Sequence, residues 1–208
     1  MDMKRKCVCA KENLNHPFQS AQSTAKNMKN KMKEFIKMAK LIVFYSRADE
    51  NYFSGARRYI PVGNTEKVAN MIAQITGAQL FKMEQQIPYA ADYDTCIAQA
   101  KKDLQAKARP ALVSMPDSLD GYDEIYLGYP NYWGDMPMAV YTFLENYDWS
   151  GKMIHPFCTH EGSGLGQTER KIRNTCKGAA VTHGLAIHGD SVDRARETVK
   201  KWVSLESR

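Results

Sequence analysis

Short apolar runs alternate with segments of helical spacing from residue 40 to the end of the chain. That alternation constrains the fold more than any other feature. The runs are residues 41–45, 79–83, 125–129, 153–159 and 185–188. Between and after them apolar residues recur at helical spacing. The sets are Val68, Met71, Ile72 and Ile75, then Ile97, Ala100 and Leu104, then Met136, Val140, Phe143 and Leu144. Leu165, Ile172 and Cys176 follow, and the last set is Val192, Ala195, Val199, Trp202 and Val203. Parallel strands cannot be joined by a tight turn, so each helix serves as a crossover. The pattern predicts an α/β fold, a three-layer αβα sandwich with a five-stranded parallel sheet and helices on both faces. Residues 125–129 are the most apolar run, as a central strand buried on both faces requires. Gly77 stops the first helix, Pro137 suits the first turn of the third, and Ser191 suits the cap of the last.

The charge is unevenly spread. The chain has 208 residues, 29 basic and 23 acidic, of which ten basic and three acidic residues lie in residues 1–40. The tail therefore carries +7 and the rest −1, so the domain is close to neutral. Without a basic patch interleaved with aromatics, nucleic acid is not an expected partner. Residues 1–38 read as a basic extension, without period up to about residue 24, and residues 39–208 as the folded domain. Met28, Met32, Phe35, Ile36 and Ala39 could share one face of a basic helix, which suits an anionic membrane surface. The plainer reading is a solvated tail, with Met38 as the start of the domain. No apolar run approaches a membrane span, so no stable membrane insertion is expected. Five cysteines without paired spacing suit reduced thiols and a cytoplasmic setting.

In a sheet of this kind the ligand sits beyond the carboxyl ends of the strands, where the strand order switches. Three loops end there. The first, residues 46–65, offers the hydroxyls of Ser46 and Thr65, the amide of Asn64 and the bare backbone of Gly63. A helix begins at that point, and its free amides and dipole favour a phosphate. The same groups could simply cap the helix. The middle of this loop, with Arg47, Tyr52, Phe53, Arg57, Arg58 and Tyr59, exceeds what a turn needs. The second loop runs Pro130-Asn131-Tyr132-Trp133-Gly134-Asp135, and its two aromatic rings can stack on a flat ligand. The third loop, Thr159-His160-Glu161-Gly162-Ser163-Gly164, lets backbone approach a ligand but carries no large aromatic.

Together these loops resemble the flavodoxin family over about residues 39–203. FMN at this switch point is a known property of that family. The resemblance implies strand order 2-1-3-4-5 in a short-chain form and FMN as cofactor. It implies that Ser46, Gly63, Asn64 and Thr65 hold the phosphate. It also implies that Pro130, Asn131, Tyr132, Trp133 and Gly134, with Thr159, His160, Glu161, Gly162, Ser163 and Gly164, flank the isoalloxazine ring. Two departures stand out. Residues are inserted between Ser46 and Gly63, and the third loop lacks a stacking tyrosine, which leaves one flavin face open. Asp135 and Glu161 lie near the expected flavin edge.

Other chemistries on this architecture fail on residues. A P-loop needs Gly-Lys-Ser/Thr, and here Gly63-Asn64-Thr65 has no lysine. A dinucleotide fold needs G-x-G-x-x-G after the first strand, which is absent. A receiver domain needs an acid where Tyr129-Pro130 stands, and a low-molecular-weight phosphatase needs an arginine where Gly164 follows Cys158. The histidines show no metal-ligand spacing, and no residue is assigned a catalytic role. Two functions remain. One is an electron carrier that shuttles electrons through the semiquinone/hydroquinone couple of FMN between redox partner proteins. The alternative is an FMN-dependent NAD(P)H:quinone or related oxidoreductase. The aromatic pair and the short-chain layout favour the carrier. The open face and the near-neutral surface favour the reductase.

Overall fold

The computed structural model describes residues 39–206. The expected basic extension and its amphipathic helix lie outside the described residues. β1 (Lys40–Tyr45) opens the domain and is buried from Leu41 onward. β4 (Gln79–Met83), β5 (Glu124–Pro130), β6 (Met153–His160), β7 (Ala180–Val181) and β8 (Leu185–His188) complete the main sheet. The order is β4-β1-β5-β6, after which β6 pairs in parallel with both β7 and β8. Every pairing in this sheet is parallel. The five expected strands thus stand in the expected order 2-1-3-4-5. The difference is one of detail: the last position holds two short strands, with β7 beside Met153 and Ile154 and β8 beside residues 157–160.

Strand alternation sorts the core into two layers. Leu41, Val43 and Tyr45 of β1 and Ile125, Leu127 and Tyr129 of β5 face one side. There they meet α3 (Met138–Leu144) and Ile172 of α4 (Thr168–Thr175), with Leu104 of α2 (Tyr93–Ala106) packed alongside. Ile42, Phe44 and Tyr126 face the other side, against α1 (Asn64–Thr76) and α5 (Arg196–Glu206). Helices on both faces explain why these runs carry no polar alternation. Gly128 is a fit between strands. A Cβ there would strike the ring of Phe157 on β6, so the absent side chain makes room for that ring. Among the described residues no helix is long and apolar enough to cross a membrane.

Several local expectations change. Residues 46–63 are not an open loop. They contain β2 (Asp49–Phe53) and β3 (Ala56–Ile60), an antiparallel hairpin that pairs Phe53 with Ala56 around Ser54-Gly55. Both turn residues have positive φ, 42° and 98°, which suits the twist of a two-residue hairpin. The strict strand–helix alternation is broken there. Ser191 does not cap α5, because it lies inside a 3-10 turn, Gly189–Arg194, that precedes the helix. Pro137 is the residue before α3 rather than in its first turn, and Leu165 and Cys176 flank α4 rather than sit within it. Gly77 ends α1 as expected, at φ 72°, with its N–H on the Ala73 carbonyl.

Candidate functional site

β1, β5, β6 and β8 end at one edge, and their following loops enclose a cavity of about 360 Å³. The polar end is built first. α1 starts at Asn64 with no side-chain cap from its own first residues. Ser46, the residue after β1, supplies a cap instead, its Oγ accepting the Glu66 N–H at 3.0 Å. Gly63 is packed between Ser46 and the backbone of Arg47, where a Cβ would collide with both. Thr65 is buried, with its Oγ1 2.8 Å from Oγ1 of Thr159, so the first and third loops are tied at their bases. Asn64 Nδ2 reaches toward the Gly189 carbonyl at 3.5 Å. Arg47 spends its terminal nitrogens on the carbonyls of Glu50, Ala90 and Ala91. Its Nε remains a buried donor with no partner.

The second loop closes as a two-residue turn. Tyr132 and Asp135 exchange backbone hydrogen bonds at 2.8 and 3.0 Å. Trp133 and Gly134 occupy the centre with φ of 57° and 76°. A tryptophan at positive φ is a strained placement, of the kind that clusters at functional sites. It holds Trp133 half out of the protein, 51% exposed, with Nε1 donating to the Ile97 carbonyl at 3.0 Å. The Lys101 ammonium stands 4.9 Å from its ring centroid. Tyr132 instead turns toward Tyr45 and Tyr89, and burial pushes its hydroxyl pKa up. Asn131 is a brace: its amide donates to Gly164 O and accepts from Gly134 N–H, both at 2.9 Å. Asp135 does not face the expected flavin edge. It is buried, accepting from Met136 N–H and Tyr141 OH and paired with Lys171.

In the third loop the Gly162 N–H donates to His160 Nδ1 at 3.0 Å. The His160 and His188 rings meet edge to face at 5.6 Å. Burial, with His188 beside it, lowers the pKa of His160. Burial also raises the carboxyl pKa of Glu161. The Glu161 carboxylate accepts the Ser54 N–H from the hairpin tip at 3.1 Å and lies 3.6 Å from His188 Nε2.

Eleven of the residues singled out from sequence line this cavity: Ser46, Asn64, Thr65, Pro130, Asn131, Tyr132, Trp133, Thr159, His160, Glu161 and Ser163. Gly63, Gly134, Gly162 and Gly164 do not line it but shape the loops that do; the last three have positive φ. The cavity adds Arg47, Asn51, Tyr52, Tyr93, Ile97 and Gly189. Tyr52 and Tyr93 stack at 6.0 Å, and Trp133 is bonded to Ile97 one turn further along α2. An aromatic wall therefore comes from the hairpin and α2, where the third loop supplies none. The length of the first loop drew attention to Arg47 and Tyr52 without giving either a role. Nothing in the sequence separates Tyr93 from any other first-turn residue.

A polar end built to receive an anion and an aromatic wall together suit a flat ligand carrying a phosphate. The family model for Flavodoxin matches residues 51–206. The chain belongs to the flavodoxin family. No curated protein matches it in sequence. Among solved structures it is similar to a protein assigned as a flavoprotein from Bacteroides uniformis, at 26% identity and a TM-score of 0.64, covering 81% of this chain and 99% of that one. A protein similarly assigned from Bacteroides eggerthii shares 21% identity and a TM-score of 0.59, over 77% and 97% of the two chains. A flavoprotein in complex with FMN from Lactobacillus acidophilus shares 22% identity and a TM-score of 0.54, over 76% and 97%. The latter two likenesses speak for the fold alone. The flavodoxin cofactor, FMN, joins a phosphate to a flat ring system, and the residues here fit both parts. The orphaned Arg47 Nε and the start of α1, with the Ser46 hydroxyl beside it, suit the phosphate, and the Tyr52, Tyr93 and Trp133 rings suit the ring system.

Proposed function

We propose that this chain binds one FMN in the cavity and acts as a one-electron carrier between redox proteins. Ser46, Asn64, Thr65 and the first amides of α1 would hold the phosphate, beside the cationic Arg47. Tyr52, Tyr93 and Trp133 would meet the ring, and Pro130, Asn131, Thr159 and His160 would line its edge. FMN supplies, when bound, a ring that takes up and returns electrons. The lining side chains would orient that ring and shield it from water.

The observation that supports the carrier reading is the aromatic wall of Tyr52, Tyr93 and Trp133, which would cover the ring where a donor has to stack. Hydride transfer from a nicotinamide needs that donor stacked on the flavin. A cavity of about 360 Å³ is of the size that small-molecule sites have and suits one mononucleotide. A cytoplasmic setting belongs to the same reading, because Cys96, Cys158 and Cys176 are free and buried, and burial pushes the Cys158 thiol up to about 12. The partners would then be one electron-donating and one electron-accepting protein.

The test is titration of apoprotein with FMN and with riboflavin, followed by stopped-flow mixing of the FMN form with NADPH, with and without a quinone. The expected result is tight FMN binding, much weaker riboflavin binding and no rapid bleaching by NADPH. Rapid bleaching with quinone turnover would replace the carrier by the NAD(P)H-dependent oxidoreductase. Equal binding of both flavins would remove the phosphate site itself.

A further inference from the structure

The β2–β3 hairpin is fastened at both ends by polar contacts. At its base, Arg47 holds the carbonyls of Ala90 and Ala91 at 2.8 and 2.6 Å. Glu50 accepts the Tyr93 N–H at 3.0 Å and donates its own N–H to Ala91 O at 3.3 Å. At its tip, Ser54 donates its N–H to Glu161 Oε2 at 3.1 Å and its hydroxyl to Asp190. The base is thus tied to the start of α2, and the tip to the loops after β6 and β8. Asn51 and Tyr52, between the two fastenings, line the cavity. The hairpin therefore runs across the cavity as a strap.

Beyond those ties it meets α2 through the exposed Arg57–Asp94 ion pair at 2.6 Å and the Tyr52–Tyr93 stack. A two-stranded hairpin has marginal stability alone. Phe53 is its only buried side chain, and it belongs to neither core cluster. The tip fastening has an independent sign of being built. Gly189 faces the Glu161 carboxylate so closely that a Cβ would collide with Oε1 and stand 3.0 Å from Asn64 Nδ2. The Gly189 backbone amide also supports that carboxylate. The residue after β8 is thus shaped to seat Glu161 where the hairpin tip can reach it.

We propose that Glu161 is the latch of this strap, a positioning residue that holds the hairpin tip and, through it, Tyr52 across the cavity, so that bound cofactor leaves only when the latch opens. The cofactor half of the inference rests on FMN binding at this site. The mechanical half does not. A hydrogen bond to a carboxylate contributes about tenfold or more to a local closing equilibrium.

The test compares the parent with Glu161→Ala, Glu161→Gln and Gly189→Ala. The apoproteins are treated with trypsin, and cleavage after Arg57 and Arg58 is followed by mass spectrometry. Those bonds lie in β3, and a protease reaches them only when the strand unpairs. FMN release from the loaded proteins is then followed by the return of flavin emission on dilution. Glu161→Ala and Gly189→Ala should speed both cleavage and release by roughly tenfold, with the far-UV spectrum unchanged. Glu161→Gln, whose amide oxygen still accepts the Ser54 N–H, should recover most of the difference. Unchanged cleavage in a folded Glu161→Ala apoprotein would overturn the latch. Faster cleavage with unchanged FMN release would overturn its role in holding the cofactor. Absence of FMN binding by the parent would overturn the cofactor half while the cleavage arm still reads the latch.

Discussion

Replacing Gly63 by alanine tests the polar end of the site at its tightest point. The backbone there has φ −65° and ψ 150°, which alanine adopts freely, so no conformational penalty arises. On open ground the change would stabilise by about 0.4–1 kcal/mol through the unfolded chain. Here the new Cβ would collide with Ser46 Oγ and the Arg47 carbonyl oxygen, and would stand 2.7 Å from the Arg47 carbonyl carbon. Ser46 can rotate away, but it then abandons the Glu66 N–H, at a cost of about 1 kcal/mol. The Arg47 carbonyl is backbone and cannot rotate, so the chain must shift, as in overpacked cores that lose about 1–3 kcal/mol. The net expectation is a loss of about 1–3 kcal/mol in urea unfolding of the apoprotein. Because the shift moves Ser46 and Arg47 against the start of α1, FMN affinity should fall by about tenfold or more, while riboflavin affinity holds. Gly121→Ala is the control, since nothing lies within 4 Å of a Cβ there and its φ is not positive. A Gly63→Ala protein as stable as the parent, with FMN affinity unchanged, would refute the reasoning.

Alanine at Trp133 or at Tyr52 should raise the emission of bound FMN, because a stacked aromatic quenches it; unchanged emission in both variants would show that neither ring meets the flavin. Gly128→Ala should lower stability by about 1–3 kcal/mol and the melting temperature by about 2–4 °C per kcal/mol, since its Cβ would enter the Phe157 ring; a melting temperature equal to the parent's would contradict the packing. His160 should titrate below its ordinary value of 6.5, as burial and His188 disfavour its charged form. Its folded pKa being depressed, the stability linked to the neutral ring is complete above pH 6.5 and falls as the pH drops through the lowered midpoint. An NMR midpoint at or above 6.5 would contradict that sign.

The sheet was legible because its cause is local. Residues 41–45 and 125–129 are apolar on both faces, and only a strand between two helical layers satisfies such a run. Gly77 could be read as a helix stop for the same reason, since its left-handed φ belongs to one residue. The grouping of Ser46, Asn64 and Thr65 with Trp133, Thr159 and His160 followed from topology, because parallel strands deliver their carboxyl ends to one edge. The hairpin was not legible. Residues 49–60 carry no clean alternation, and their strands exist through pairing with each other and ties to Glu161, Asp190 and the start of α2.

The same division runs through the site. Which loops face the cavity, and that a helix begins in one of them, follows from spacing along the chain. What each side chain does there is set by contacts across the fold. Asp135, three residues from Tyr132 in sequence, points inward because Lys171 and Tyr141 satisfy its charge. Asn131 braces two loops because Gly164 and Gly134 present a carbonyl and an amide within reach. Tyr93 joins Tyr52 because an insertion folds back over α2. Strand and helix are written in spacing along the chain. The partners of a polar or aromatic side chain come from segments far apart in sequence, and close packing of the fold alone brings them within hydrogen-bond or stacking distance.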